Sequence, residues 1–338
     1  MISCLDFKVD DSSKEPKCKQ LEEFLLDVIR EKKILVGAKL PSVSQANKHF
    51  GVSRDTVLAA YGALQQRGVV VSRPGKGFYV ASRRTKTVLK ILLLFDAMNQ
   101  YKETLYRSLV QHLGRNYEID IAFHYYNEKL FRSLIENNRS EYGYFVLMPH
   151  FNVDVTDAIR LLPPSRVLLL DAFPQGLGVE YAAVYQDFAE DVYVGLRSLL
   201  DKLRTYESLD VVYNGQFQFI PDSLVAGMRR FSEDFKIPLH IYRGFDFSKI
   251  EKGKCYMAIS DRDLAGVIKA MWEKKFEIGR DMGLLSFDDT PLKEVLLGGV
   301  TTITTDFEWM GEQAASLIKR RKIKQIHNLS RVMLRNTI

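Results

Sequence analysis

Acidic and aromatic residues recur in one setting along this chain. The short runs FDAMNQ, PHF, DAF, YQD, SDRD and SFDD each follow an apolar stretch, and they present Asp96, His150, Asp171, Asp187, Ser260, Asp261 and Asp288. Carboxylates gathered at one place suit a polyhydroxylated ligand, because each oxygen accepts hydrogen bonds from neighbouring hydroxyls. An aromatic face such as that of Phe247 can stack on the apolar side of a sugar ring. Two of Asp171, Asp261 and Asp288, if about 5–10 Å apart, would instead be the acid and base of a glycoside-cleaving enzyme.

Other chemistries have less footing. The chain has no GxSxG elbow, no GxGxxG turn and no GxxxxGK[ST] loop, so no cofactor is expected. Of its six histidines, His49, His112, His124, His240 and His327 read as surface or satisfied polar residues, and only His150 is a cleft candidate. Cys4, Cys18 and Cys255 are far apart and form no CxxC pair, so they read as reduced thiols and no metal site is expected.

A second group of residues points to a polyanion. Residues 1–84 carry 15 Lys and Arg against 9 Asp and Glu, whereas the remaining 254 carry 33 of each, so the net charge of +6 lies at the N-terminal end. From Lys33 to Arg84 nine basic residues face the single acid Asp55. Within this segment VVVSRPGKGFYV places two glycines and a lysine between β-rich runs. A phosphate-cradling loop would lead into a helix, so this stretch reads as a hairpin with Arg73 and Lys76 near its tip.

The elements around these residues are legible from spacing. CKQLEEFLLDVIREKK is an amphipathic helix. Ser42 is a good cap for VSQANKHF, which ends at Phe50-Gly51, and Ser53 caps RDTVLAAYGALQQRG. Asp55, Ala59 and Gly62 lie opposite the apolar side of that last helix, leaving a face slim enough to approach another surface. Two helices joined by a tight FGV turn and followed by a hairpin make a winged helix-turn-helix, whose second helix offers Arg54 and Thr56 to a DNA groove.

Residues 17–82 resemble the winged-helix domain of the GntR family of bacterial transcription regulators, through LPS at Leu40–Ser42, GVSRDTV at Gly51–Val57, LQQRG at Leu64–Gly68 and RPGKGFYVA at Arg73–Ala81. The resemblance implies operator DNA as partner and Ser42, Ser44, Ser53, Arg54, Thr56, Arg73, Lys76 and Gly77 as DNA-facing positions. Where the family often has arginines, Ser44 and Leu58 stand here, so those two contacts do not carry over and the operator should differ from common family sites.

The rest of the chain alternates strand and helix patterns. VLKILLLF, YEIDIAFHYY, YGYFVLMP, SRVLLLD, LDVVYNG, PLHIYRG, KCYMAIS and MGLLSFDD are eight strand candidates, which predicts parallel sheets covered by helices, as a barrel or as two doubly wound lobes. LLLDAF, VYQD, AISDRDLAGVIKAM, MGLLSFDDTPLKEVL and VTTITTDFEWMGEQAASLI resemble, in that order, the sugar-binding domain of LacI-type repressors and periplasmic sugar-binding proteins, which decides for two lobes. The expected domains are a DNA-binding unit over 1–82, a linker over 83–87 and a two-lobed sugar-binding and dimerisation unit over 88–338. The resemblance assigns Asp171, Asp187, Ser260, Asp261, Asp288 and Asp306 to ligand or hinge positions. Leu224 replaces an arginine that commonly clamps ligand oxygens, which favours a small neutral sugar, a pentose or a deoxyhexose such as arabinose or fucose, over a phosphorylated one.

The whole reads as a ligand-responsive regulator, a homodimer on a pseudo-palindromic operator. The alternatives are a large domain that only dimerises or binds another effector, and a cleft enzyme acting on a glycoside. No run approaches the roughly 18–20 apolar residues of a membrane span, and the opening MISCLDFKVDDSSKEP carries acids where a signal peptide is apolar, so a cytoplasmic protein is expected.

Overall fold

The computed structural model describes residues 7–10, 13, 15–82, 88–114, 116–213 and 219–338, with Gln66 described in its backbone alone. The expected linker over 83–87, Cys4 and the end of LDVVYNG lie outside these residues. The chain divides into two compact units, 1–89 and 90–338.

In the first unit, α1 (Lys17–Arg30), α2 (Val43–Phe50) and α3 (Arg54–Gln66) precede a hairpin of β1 (Val70–Arg73) and β2 (Gly77–Val80). Leu21, Leu25, Ile29, Val57, Tyr61 and Leu64 close one core, each fully buried large apolar side chain contributing roughly 1.5–3 kcal/mol. Ser42 and Gln45 cap each other reciprocally at the start of α2, and Gly51 ends that helix in the left-handed conformation at φ 67°. Ser53 accepts from Thr56 N at the start of α3.

The second unit is two lobes. The first holds β3 (Leu89–Phe95), α4 (Gln100–Leu113), β4 (Tyr117–Phe123), α5 (Glu128–Asn138), β5 (Tyr144–Leu147), α6 (Thr156–Ile159), β6 (Val167–Asp171) and β7 (Ala182–Tyr185). The chain then crosses to α7 (Phe188–Ser198), α8 (Leu200–Leu203), β8 (Ser208–Tyr213), α9 (Asp222–Phe235), β9 (Leu239–Arg243), β10 (Lys254–Ala258), α10 (Asp261–Glu273), β11 (Gly283–Phe287), α11 (Pro291–Val295) and β12 (Thr301–Thr304). It returns for α12 (Phe307–Arg320) and β13 (Gln325–His327), and crosses a third time to β14 (Arg331–Met333).

The two sheets have the same plan. Their strand orders are β13-β7-β6-β5-β3-β4 and β14-β12-β11-β10-β8-β9, so β3 to β7 correspond to β8 to β12. Parallel pairing runs from β3 through β5, β6 and β7 to β13 and from β9 through β8, β10 and β11 to β12, while β14 is antiparallel to β12. The helix pairs match as well: α4 packs on α12 in one lobe and α9 on α7 in the other. Each pair has a glycine at closest approach, where a Cβ on Gly311 would come 2.7 Å from Leu105 O and one on Gly227 2.2 Å from Ala189 O. Besides the eight strands expected, the sheets contain β7, β12, β13 and β14. All four have only three or four residues, too few for a periodic signal, and are defined by their partners in the sheet.

Candidate functional site

The DNA-facing candidates all lie in the first unit, on or beside α2, α3 and the hairpin. Arg54, Asp55 and Ala59 are exposed on α3, Leu58 is 49% exposed, and the other side of the helix is buried. Gly75 and Gly77 adopt φ 68° and 104°, which lets the chain reverse between β1 and β2. Arg73 does not stand free, since its guanidinium lies 4.6 Å from the centre of the Tyr79 ring. Residues 38–40 add to the hairpin through Leu40 N donating to Phe78 O and Val80 N to Ala38 O, at 2.8 and 2.9 Å. This places Lys39 across Gly77, whose added Cβ would meet the lysine Cε at 3.2 Å.

In the second unit the carboxyl ends of both sheets face one cavity, as a doubly wound arrangement dictates. Asp96 follows β3, His150 follows β5, Asp171 ends β6 and Asp288 follows β11, and all four line it. His150 is the centre of a buried network of ion pairs within the first lobe. Its Nδ1 donates to Asp96 Oδ2 at 2.8 Å, and Lys102 of α4, itself 2% exposed, donates to the other Asp96 oxygen. His150 Nε2 is 2.9 Å from Asp171 Oδ2 but makes no aligned hydrogen bond to it. Asp171 is held instead by Gln186 Nε2 at 2.6 Å and by the Tyr101 hydroxyl at 3.4 Å.

Burial alone would lower the His150 pKa, but the Asp96 charge and the neighbouring carboxylate contacts outweigh it and raise it, which favours the cationic ring. Asp96 stays far below the usual carboxylate range: burial opposes ionisation, and His150 and Lys102 overcome it. Asp288 has no such support. Burial raises its carboxyl to about 7, with Lys293 opposing the rise and Asp171 adding to it.

The remaining lining is mostly aromatic and apolar: Tyr101, Tyr126, Phe188, Phe219, Leu224, Ile259 and Phe287. Phe219 stacks on His150 across the lobes at 4.7 Å and 17°. Beside it, Asn152 Nδ2 donates to Ile220 O at 3.0 Å and Asp222 N donates to Asn152 Oδ1 at 3.2 Å. The enclosed volume is about 40 Å3, far below the roughly 300–1,000 Å3 of a typical small-molecule site. A 650 Å3 groove sharing Tyr126, His150 and Phe219 adjoins it. Among the described residues, three polar atoms of the cavity wall are buried without a hydrogen-bond partner: His150 Nε2, Gln186 Oε1 and Asp288 Oδ1.

Other predicted residues lie elsewhere. Phe247 is not in the cavity; its ring packs against Gly266 of α10 and Phe245, in the core on the far side of the second sheet. Asp187 and Asp306 cap α7 and α12 by accepting from Glu190 N and Trp309 N, so each marks a lobe crossing. Ser260 caps α10, and Asp261 is exposed and paired with Lys293 at 3.0 Å. Of the pair after β11, Asp289 is structural, held by both Arg335 nitrogens at 2.7 Å. His124 is neither exposed nor fully satisfied: its Nε2 donates to Met148 O at 3.1 Å, its Nδ1 has no partner, and burial lowers its pKa to about 4.

Sequence reasoning missed Lys102, Tyr101, Tyr126, Gln186, Phe188, Phe219 and Lys293. Lys102 did leave a signal, since it shares the buried face of α4 with Leu105, Leu109 and Leu113, where a lysine needs a reason.

Residues 17–80 match the model of the bacterial regulatory proteins of the gntR family, and residues 248–336 that of the periplasmic binding protein-like domain. The chain joins a gntR-type helix-turn-helix to a periplasmic binding protein-like domain. A curated HTH-type transcriptional regulator of Mycobacterium tuberculosis is 36% identical over 99 residues, which is 27% of this chain and 36% of that protein. The chain thus spans about a third of that relative's length.

The periplasmic binding protein-like fold recurs in solved structures. The trehalose repressor of Escherichia coli aligns at TM-score 0.61 and 13% identity over 72% of this chain and 99% of that one. A LacI family regulator of Lactobacillus casei with bound sucrose aligns at 0.61 and 14% over 74% and 99%, and one of Enterococcus faecium with bound ribose at 0.58 and 17% over 73% and 98%. At these identities the likeness is one of fold. Among the described residues no helix is long and apolar enough to cross a membrane, and no group of three His, Cys, Asp or Glu is placed to hold a metal ion.

Proposed function

We propose that this protein is a transcription regulator that binds operator DNA as a homodimer and senses a small neutral sugar, a pentose or a deoxyhexose, between the lobes of its second unit. The observation that carries the reading is the set of three unpartnered polar atoms around one aromatic-walled cavity. A buried donor or acceptor without a partner costs about 1–3 kcal/mol. A ligand hydroxyl accepting from His150 Nε2, and others donating to Gln186 Oε1 and Asp288 Oδ1, would remove that cost.

Charge supports neutrality of the ligand. The two cations of the wall, Lys102 and His150, are already engaged by Asp96 and Asp171, and Leu224 stands in the wall without a charge. An anionic group would compete with Asp96 and Asp171 for these cations and would also meet Asp288. The solved neighbours with bound sucrose and ribose agree with a sugar as effector.

In the DNA-binding unit, Arg54 and Thr56 at the start of α3 suit base edges in the major groove, and Lys76 at the hairpin tip suits the phosphate backbone. Sugar binding would change DNA affinity by its differential affinity for the open and closed lobes, commonly 1–3 kcal/mol.

The test is a thermal-shift screen of the full chain against L-arabinose, L-fucose, D-ribose, D-xylose, disaccharides, sugar phosphates and sugar acids. Stabilisation by a neutral monosaccharide, recovered unchanged after incubation, is expected. A flat panel, preference for a phosphate or acid, or conversion of the sugar would overturn the reading.

A further inference from the structure

Asp171 ends β6 and Asp288 directly follows β11, the equivalent strand of the other sheet, and each has a left-handed backbone, at φ 67° and 58°. Few residues other than glycine hold that conformation without support. The two are supported differently. Asp171 is held through its carboxylate, by Gln186, Tyr101 and the close His150 ring. Asp288 makes no such contact through Oδ1, which is left facing the cavity.

What grips the Asp288 turn is Lys293, five residues on in α11. Its ammonium donates to Phe287 O and to Asp288 O, both at 2.8 Å, and lies 3.0 Å from Asp261 Oδ1 at the start of α10. Three donors thus meet three acceptors. Lys293 is 2% exposed, and a buried ammonium is retained only where its hydrogen bonds offset lost hydration.

We infer that Lys293 is the positioning residue of the ligand cavity: it grips the backbone on both sides of the β11 turn, so that the Asp288 carboxyl is aimed inward and remains available to ligand. The inference rests on the reading of that cavity as the effector site. It also explains the contrast between the lobes, in which one aspartate is committed to protein and its counterpart leaves Oδ1 without a hydrogen-bond partner among the described residues. Charged and titratable groups facing Asp288 are Lys293 from α11, Asp261 from α10, Asp171 from β6, and Lys102 and Tyr101 from α4.

The experiment follows melting of the full-length chain by tryptophan fluorescence, because both tryptophans, Trp272 and Trp309, belong to the second unit. Lys293→Met, Lys293→Arg, Asp288→Gly and the Lys293→Met/Asp288→Gly double variant are compared with wild type from pH 5 to 9. Glycine adopts the left-handed turn unaided. Lys293→Met should therefore lower the melting temperature by more than about 3 °C in wild type and by less than half as much in the Asp288→Gly background, with Lys293→Arg recovering part of the loss.

The pH profile gives a second readout, which a lysine remote from the Asp288 carboxyl would not move. Lys293→Met should shift the Asp288-dependent part of the profile to higher pH, and Lys293→Arg should leave it near wild type. Equal costs in both backgrounds, or an unmoved profile, would overturn the inference. If both effects appear while L-arabinose, L-fucose, D-ribose and D-xylose leave wild type unmoved, the positioning role stands and the assignment of the cavity to a neutral sugar falls.

Discussion

Asp187 and Asp306 are one position used twice: each follows the fifth strand of its lobe, each precedes a phenylalanine, and each accepts a hydrogen bond from the backbone N–H three residues on. Both stand where the chain changes lobe. Asn328, at the third crossing, donates from N to Tyr185 O at 2.7 Å and from Nδ2 to Asp306 O at 3.0 Å, while Thr305 Oγ1 donates to Asn328 O at 3.0 Å. The three crossings are therefore bonded to one another, as a single hinge would require.

Across the cleft from that hinge, Asn152 is expected to hold the lobes closed. Asn152→Ala removes two hydrogen bonds to the second lobe, worth about 0.5–1.5 kcal/mol each. The closed state should weaken by roughly 5- to 150-fold relative to the open one, with a larger radius of gyration of the ligand-free protein in solution scattering and weaker sugar binding by calorimetry. An unchanged radius and affinity would count against the contact as a latch.

Asp288 predicts a pH dependence of stability. Its carboxyl is raised to about 7 from an ordinary value of 3.8, so the folded state binds that proton more tightly than the unfolded chain. Its stabilising contribution is full below pH 4 and is lost as pH rises to about 7, by at most about 4 kcal/mol. Asp288→Asn should flatten that part of the profile in chemical denaturation between pH 4 and 8.

His150 acts in the same direction at higher pH. Its pKa is raised by Asp96 and the neighbouring carboxylate contacts despite burial, so its contribution is full below about 6.5 and is lost as pH climbs through the raised value. His150→Leu leaves Asp96 and Asp171 without this cation and should cost about 3–5 kcal/mol at pH 6. The cost should shrink toward pH 9, and a pH-independent loss would show that only packing against Phe219 had been removed.

On DNA, Arg54→Ala should weaken binding to an operator selected from random sequence by about 10- to 100-fold while altering non-operator binding little. Lys76→Ala should weaken both alike and reduce the slope of log affinity on log salt by about 1. Gly77→Ala meets both an unfavourable φ and the Lys39 side chain, so it should impair the hairpin more than Gly75→Ala, whose added Cβ has nothing within 4 Å.

Much of this was legible in the sequence because it is local. Ser42 and Ser53 announce their helices through caps a few residues long, and the glycines of RPGKG announce a reversal. That Asp96, His150, Asp171 and Asp288 lie at strand ends was legible because apolar strands ending in polar residues have a direction. What stayed hidden depends on folding at long range. Phe219 reaches His150 from 69 positions away by sequence number, and Lys293 turns inward only because two carbonyls of the β11 turn await it. Phe247 misled because an aromatic residue beyond a strand serves a core as readily as a ligand, and the small size of Gly266 brings it onto α10.

The three crossings carry one more consequence, for the fate of the chain under a protease. A single cut within 186–187, 305–306 or 328–330 leaves the lobes joined by two intact connections and by the bonds of Asn328. Nicked molecules should keep their cleft and separate into fragments only on denaturation, so a site that looks like a domain linker on a gel would not release an independent lobe.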